Sequence, residues 1–466
     1  MEIYDELQLA ASGDKFADIY LLLFLIITGA ILGRFIAKKI NQPPVLGELI
    51  AGVIIGVIMY QFNSPVLTLM RYQDDVNKVV QSSISENISW NDAIKKNIHQ
   101  NSFNDNVTGD ELTSIMQSPG FPSMNLVVQA ILLFSALGVL LLLFAVGLGS
   151  NVEDIMNVGG NALVTAIVGV IVPTLLGYFT SKLLLPGHDP NLYLFVGATL
   201  SATSIGITAR IFKDMGKLDI PEARIVLGAA VIDDILGLII LAVVAGIITF
   251  GSVNAVEILI ILAKATIFLM VTLYAGKKFL RKQIKFASLL DNKNLRLLFP
   301  FALLIFLSWL SDSIGLASIV GAFAAGLVIK EEYFNDLSED KYNSVKDVIE
   351  PIETIFAPVF FVIMGLQVDL SAFVNFDIIG IALLLTIVAI AGKLVSGVFA
   401  KGFDKKLIGI GMVPRGEVGL IFAGIGRGIG ILDNALFSAI IIVVILTTFI
   451  TPPWLKWAFS KYVYKQ

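Results

Sequence analysis

The chain has 466 residues, of which 56% are apolar and only 15% are charged, and its mean hydropathy is +0.85. Soluble domains are about 45–50% apolar and about 25% charged, so the composition excludes an ordinary soluble enzyme and indicates an all-α polytopic membrane protein. The sequence has no cysteine, which excludes a disulfide scaffold, thiolate zinc sites, iron–sulfur clusters and thiol catalysis. The net charge of −4 says little about partners, because acidic and basic residues are divided among the loops.

Apolar stretches bounded by charged and turn residues predict thirteen membrane-spanning helices, since each crossing takes about 20 mostly apolar residues. The first stretch follows an acidic N-terminus that has no basic segment, so we interpret it as a true transmembrane helix and not as a signal peptide. Numbered 1 to 13 in chain order, the predicted spans cover residues 17–37, 45–61, 125–148, 160–183, 191–213, 223–249, 255–275, 296–312, 315–330, 352–368, 377–400, 408–428 and 435–458.

The lysine and arginine residues predict the orientation of the chain. About two thirds of these 33 residues lie on the side that faces residues 38–44. Basic loops stay in the cytosol, so residues 1–16 are predicted to be external and the tail 459–466 to be cytosolic. We expect a multi-pass protein of the cell (plasma or inner) membrane, with the lipid bilayer as a partner and without nucleic-acid binding.

Residues 62–124 form a long polar insertion between spans 2 and 3 that is rich in Asn, Ser and Asp. The predicted orientation places this insertion outside, where its acidic residues outnumber its basic ones. We expect a solvated loop with one or two short helices. A cap or a partner-binding surface is the alternative.

Two pairs of spans resemble each other along the chain. Residues 46–56 of span 2 resemble residues 319–329 of span 9, and residues 143–148 of span 3 resemble residues 361–366 of span 10. Both pairs are an odd number of spans apart, so the two copies cross the membrane in opposite directions. The pattern predicts an inverted-topology repeat, which is typical of secondary transporters. The predicted organisation is spans 1 and 2 (17–61), the insertion (62–124), spans 3 to 6 (125–249), a linker span (255–275) and spans 8 to 13 (296–458).

Charged residues inside the spans are the candidate functional residues, because each costs about 2.5–3.5 kcal/mol on insertion scales. Asp233 and Asp234 lie near the middle of span 6, and Lys393 lies in span 11. Adjacent residues of a helix point about 100° apart, so the two carboxylates face different neighbours. One of them is the natural partner of the Lys393 ammonium. The alternatives are a structural pair of acids and a lysine that snorkels to the interface.

Two spans carry the signals of an interrupted helix. Span 5 contains serine, threonine and glycine residues at 201–208, and Pro414 lies among glycines in span 12. Freed backbone carbonyls and hydroxyls can bind a small cation where such helices line a cavity, and Arg415 and Glu417 would offset the exposed helix ends. For the hydroxyls, bonding within their own helix is the alternative. Other charged residues near the spans are interpreted as structural pairs or interfacial residues: Glu48, Arg210, Glu257, Lys264 and Asp312.

Together these motifs resemble those of the monovalent cation:proton antiporter type-2 family, and among its members the NapA-type sodium/proton antiporters. The resemblance extends over nearly all of residues 17–458. It implies a thirteen-span inverted repeat with two crossed, unwound helices (spans 5 and 12), a six-helix core and a dimerisation domain that forms a homodimer. The segments that carry it are residues 43–52, 201–210, 233–234, 321–326 and 414–419.

By position, Asp234 resembles the family's essential carboxylate, which binds either the Na⁺ or the proton. Asp233 resembles the neighbouring residue that pairs with a lysine, which Lys393 matches here. The remaining matches lie on the two unwound stretches: Thr203 and Ser204 beside the ion, and the charged residues Arg415 and Glu417.

The resemblance implies a secondary active antiporter and not an enzyme. It would exchange Na⁺ (or Li⁺) for H⁺ electrogenically, by elevator-type alternating access, serve pH homeostasis and need no cofactor. The sequence departs from the family in its insertion, and the lack of a nucleotide-binding tail argues against the Kef-type potassium members. A K⁺/H⁺ antiporter and a non-transporting cation sensor remain alternatives. An intramembrane aspartyl protease is not favoured, because it would need its two aspartates on separate helices.

Overall fold

The structure, a computed structural model, describes most of the chain. The described residues are 16–40, 42, 44–98, 109–149, 159–204, 207–208, 211–212, 215–217, 220–250, 260, 263–264, 267–268, 270–272, 274, 276–288, 295–316, 318–334, 344–367 and 376–460. Every regular element within these ranges is a helix, which confirms the predicted all-α class. Eight of the described helices are long and apolar enough to cross a membrane.

Ten helices are described in the first half of the chain. In order they are α1 (Ala17–Lys39), α2 (Pro44–Gln61), α3 (Pro65–Arg71), α4 (Gln73–Ser85), α5 (Trp90–Asn97), α6 (Gly109–Gln117), α7 (Phe121–Gly149), α8 (Gly159–Leu184), α9 (Pro190–Thr199) and α10 (Pro221–Phe250).

In the second half, a π-helical turn at Gly276–Leu280 leads into the first of eight more described α-helices, and a 3-10 helix covers Glu331–Tyr333. The eight α-helices are α11 (Arg281–Ala287), α12 (Leu295–Ser313), α13 (Ser318–Val328), α14 (Val345–Leu366), α15 (Phe376–Val398), α16 (Lys405–Gly411), α17 (Glu417–Gly428) and α18 (Asn434–Ser460). Predicted span 7, residues 255–275, lies largely outside the described residues. The count of thirteen spans therefore stays a prediction.

The first helix shows why the long helices belong in a bilayer. Helix α1 buries Ile19, Leu22 and Ile26 at intervals of three and four residues, as a packed helix does. Its outer face is apolar as well, with Phe24 62% exposed and Phe35 65% exposed. A helix that is apolar all round needs lipid or protein on every side, so the outer face suits hydrocarbon.

Apart from the helices of the insertion and α11, the described helices pack in two groups. The scaffold group contains α1, α2, α7, α12, α13 and α14, and the core group contains α8, α9, α10, α15, α16, α17 and α18. The most extensive contacts of each helix fall within its own group. A large apolar cluster, with Phe144 on α7 and Phe195 on α9 among its members, joins the two groups.

Close glycine contacts repeat within the scaffold group. A Cβ atom on Gly52 would lie 2.1 Å from the Val362 carbonyl oxygen, and one on Gly326 would lie 2.2 Å from the Phe144 carbonyl oxygen. Only glycine allows such an approach of two backbones. The first contact joins spans 2 and 10, and the second joins spans 9 and 3. The predicted repeat exchanges one contact for the other, so the packing agrees with an internal inverted repeat.

The insertion differs from the solvated loop expected at residues 62–124. Its described residues fold into four short helices, α3 to α6, whose apolar residues form a buried cluster with α1, α7 and α14. Leu69, Val76 and Leu112 are fully buried in this cluster. Polar residues lie between the apolar ones in the insertion and weaken the helix signal in the sequence, although α3 buries five consecutive residues, 67–71. Residues 99–108 of the insertion lie outside the described residues.

Candidate ion site

Two helices of the core group are interrupted. Helix α9 ends at Thr199, and residues 202–204 are non-helical. Helix α16 ends at Gly411, and α17 begins only at Glu417. Pro414 lies in the second gap, where it has no N–H for a helical bond and disfavours helix in the residue before it. The interruption of span 12 expected from Pro414 is present.

The two interrupted stretches bond directly to each other. The Ser204 amide donates to the Pro414 carbonyl at 2.9 Å. The Thr203 hydroxyl donates to the Met412 carbonyl at 3.2 Å, and the Thr208 hydroxyl donates to the Gly411 carbonyl at 3.0 Å. The threonine hydroxyls therefore reach across to the other helix and do not bond back within their own. The carbonyls that the interruption leaves without a helical donor accept hydrogen bonds from amide and hydroxyl groups of the other stretch.

One glycine makes this close contact possible. A Cβ atom on Gly416 would lie 2.7 Å from the Ser204 hydroxyl oxygen and 2.5 Å from Cδ1 of Ile207. The Ser204 hydroxyl also accepts a hydrogen bond from the Ile207 amide at 3.2 Å. Any side chain at position 416 would push the two stretches apart.

A buried ion pair lies beside the junction. The Lys393 ammonium donates to both carboxylate oxygens of Asp233, at 3.1 and 3.0 Å, and both side chains are 0% exposed. Thr203 and Arg415 are further neighbours of the Asp233 carboxylate. Complete burial excludes the alternative in which Lys393 snorkels to the interface. Asp234 follows Asp233 on α10, but its side chain lies outside the described part of the structure.

Arg415 ties the interrupted stretches to the helix that carries Lys393. Its guanidinium is buried and donates to the Ala202 carbonyl at 2.8 Å and to the Ala389 carbonyl at 3.1 Å. Ala389 lies one helical turn before Lys393 on α15. Glu417 is the first residue of α17, and its side chain also lies outside the described residues.

Sequence reasoning missed one residue of this junction. The hydroxyl of Thr448, on α18, donates to the Arg415 carbonyl at 2.8 Å, and the residue is only 4% exposed. The available signal was a set of three threonines within five positions of an apolar span: Thr447, Thr448 and Thr451.

Three of the charged residues interpreted as structural or interfacial are described, and each of them is either paired or exposed. Glu48 is buried and pairs with Arg34 on the neighbouring helix. Lys264 donates to the Ile314 carbonyl at 3.1 Å, and Asp312 is exposed. Two further residues lie outside the described part of the chain: Arg210 and Glu257.

The chain is similar to several known proteins over most of its length. The family model described as "Sodium/hydrogen exchanger, transmembrane" matches residues 23–461. The chain is 34% identical over 452 residues to the high-affinity Na⁺/H⁺ antiporter NhaS3 of Synechocystis, which covers 95% of this chain and 90% of that protein. It is 36% identical over 338 residues to the Na⁺/H⁺-K⁺ antiporter GerN of Bacillus cereus, covering 70% of this chain and 82% of GerN.

A solved structure shares the fold. The sodium proton antiporter MjNhaP1 of Methanocaldococcus jannaschii superimposes with a TM-score of 0.57, over 96% of this chain and 98% of the other, at 15% sequence identity. The likeness therefore extends over the whole transmembrane architecture.

Proposed function

Because this chain belongs to the sodium/hydrogen exchanger family and is a cation/proton antiporter, we propose that it exchanges Na⁺ (or Li⁺) for H⁺ with Asp234 as the carrying residue. The observation that carries the proposal is the fully buried Asp233–Lys393 ion pair beside two interrupted helices. Charges buried at membrane depth are costly and mark ion pathways. The arrangement puts them next to hydroxyl and carbonyl oxygens, the ligands that small hard cations prefer.

The two aspartates have different tasks in this proposal. Asp233 balances the Lys393 ammonium. Asp234, at the next position of α10, holds either Na⁺ or H⁺ and never both strongly, so the binding of one ion requires the release of the other. The Thr203 hydroxyl lies within hydrogen-bond reach of both the Met412 carbonyl and the Asp233 carboxylate, and its oxygen can also accept, as a cation ligand must. Ser204 completes the polar lining. Arg415 and Glu417 are the charges of the second interrupted stretch: Arg415 braces it, and Glu417 opens α17.

The coupling of the two ions follows from the charges. Asp233, Asp234 and Lys393 form one titrating unit whose proton affinities belong to the group. With two protons exchanged for one Na⁺, each turnover moves one net charge, and the membrane potential contributes about 2.3 kcal/mol per 100 mV. Access alternates as the core group moves against the scaffold group. The protein acts as a homodimer in the cell membrane, with its N-terminus outside, and serves pH homeostasis without a cofactor.

Proton flux into proteoliposomes tests the proposal. A pH-sensitive dye reports exchange after addition of Na⁺, Li⁺ or K⁺, and we expect responses to Na⁺ and Li⁺. Asp234→Asn should abolish the response, because the amide holds neither ion as a carboxylate does. Asp312→Asn changes an exposed acid at the end of α12 and should leave exchange unchanged. Retained Na⁺-dependent flux in purified, folded Asp234→Asn protein would overturn the assignment.

A second candidate is K⁺/H⁺ exchange, favoured by the relative GerN, whose name includes both Na⁺ and K⁺. The same assay decides between the two, since a K⁺ response as large as the Na⁺ response would assign both ions. A non-transporting sensor would bind the cation without any flux.

A further inference from the structure

Helix α18 carries three buried threonines, and among the described residues only one of their hydroxyls has a partner outside the helix. Thr447 donates to the Val443 carbonyl at 2.8 Å, and Thr451 donates to the Thr447 carbonyl at 2.6 Å, each one turn back along α18. Thr448 instead donates to the Arg415 carbonyl at 2.8 Å. The three residues share a helix, a side chain and near-complete burial, so the direction of the bond is what distinguishes Thr448.

The Arg415 carbonyl, which accepts the hydrogen bond from Thr448, precedes the backbone hydrogen bonds of α17. That helix takes Gly416 as its N-cap, and its first bond runs from the Leu420 amide to the Gly416 carbonyl at 3.2 Å. The Arg415 carbonyl precedes this bond and is buried. A buried carbonyl needs a donor, and Thr448 supplies one from a separate helix.

Arg415 carries the effect of this bond to both sides of the candidate site. Its guanidinium holds the Ala202 carbonyl, next to Thr203, and the Ala389 carbonyl, one turn before Lys393. The distances between Thr203, Lys393 and Asp233 therefore depend on where the Arg415 backbone is fixed.

We propose that Thr448 is a positioning residue for cation exchange: its hydroxyl fixes the Arg415 backbone, and Arg415 in turn holds the Thr203 stretch and the Lys393 helix in register with Asp233. The inference rests on the proposed function, because it assumes that the junction binds the transported cation. Thr448 itself does not contact the ion.

Three variants separate positioning from a general loss of stability. Thr448→Val keeps the shape and removes the hydroxyl, Thr448→Ser restores the hydroxyl, and Thr447→Val removes a hydroxyl that bonds only within α18. Initial rates of proton flux in proteoliposomes are measured against Na⁺ concentration, together with the melting temperature of each purified variant.

We expect Thr448→Val to raise the Na⁺ KM by about three- to tenfold, as the loss of one hydrogen bond of ordinary net strength does, with a smaller change in kcat. Thr448→Ser should return the KM to within about twofold of wild type, since the bond is restored. Thr447→Val should lower the melting temperature by a similar amount to Thr448→Val but keep the wild-type KM. A wild-type KM in Thr448→Val, or an equal rise in Thr447→Val, would overturn the proposal.

A hydrogen-exchange measurement separates failure of the Thr448 proposal from failure of the proposed Na⁺/H⁺ exchange. The peptide that covers residues 412–416 should exchange faster in Thr448→Val than in Thr447→Val, whether or not Na⁺ is the transported ion. Absence of Na⁺-driven flux in wild type would remove the proposed function and leave this measurement to decide whether Thr448 fixes the stretch. Equal protection in both variants would show that it does not.

Discussion

At the scale of residues, the buried cations of the core group depend on partners from other helices. Lys393 on α15 is neutralised by Asp233 on α10, and Arg415 donates to carbonyls on two other segments. An ion removed from water loses its hydration, and only a close partner offsets that loss. Loss of either partner alone would therefore leave the other charge buried without compensation in the core group.

The pair can be tested for stability apart from transport. Lys393→Met should lower the free energy of unfolding by about 3–5 kcal/mol, because it leaves the Asp233 carboxylate buried without its counter-charge. Adding Asp233→Asn to that variant should recover most of the loss, since both charges are then absent. Thermal unfolding of the purified proteins measures both effects. Lys264→Met, at an exposed lysine, is the control. A double variant as unstable as Lys393→Met would contradict this account of the pair.

At the scale of elements, the sequence predicts the features that a single residue type determines. Pro414 marks the interruption of span 12, and buried charges mark the ion pair of α10 and α15. The partners of Arg415 could not be predicted in the same way. They are backbone carbonyls, which every residue has, and so the identities of Ala202 and Ala389 carry no signal. Thr448 was hidden for a related reason, because its type and spacing match those of threonines that bond within their own helix.

Helix contacts at glycine give a prediction of their own. Gly52→Ala should destabilise the protein by about 1–3 kcal/mol, the usual cost of overpacking, because its Cβ would lie 2.1 Å from the Val362 carbonyl oxygen. Gly380→Ala places a Cβ in open space on α15 and should be neutral or stabilising by up to about 1 kcal/mol, since alanine favours helix. The melting temperatures of the two variants give the comparison. Equal melting temperatures would mean that the helices of the scaffold group separate without cost at Gly52.

At the scale of the whole molecule, the insertion links the two helix groups. Its helices share a buried cluster with α1, α7 and α14 of the scaffold group. Tyr72, between α3 and α4, also meets the core group, because the Arg427 guanidinium lies 5.5 Å from the centre of its ring. Arg427 is the penultimate residue of α17, and its guanidinium also lies 5.1 Å from the centre of the Phe437 ring on α18. Tyr72 is only 7% exposed, and a desolvated cation–π contact stabilises by about 2 kcal/mol, so this contact helps to hold the two groups together.

The proposed movement of the core group against the scaffold group requires this contact to break. The chain has no cysteine, so introduced cysteines can be cross-linked without first replacing native ones. Tyr72→Cys combined with Arg427→Cys, joined by a short bifunctional thiol reagent, should arrest exchange, and the same variant without the reagent should transport. Gln73→Cys with Asn125→Cys is the control, because these side chains bond to each other at 3.3 Å and move together with the scaffold group. Full exchange by the cross-linked Tyr72–Arg427 pair would show that the two groups stay fixed here and that access alternates by another motion.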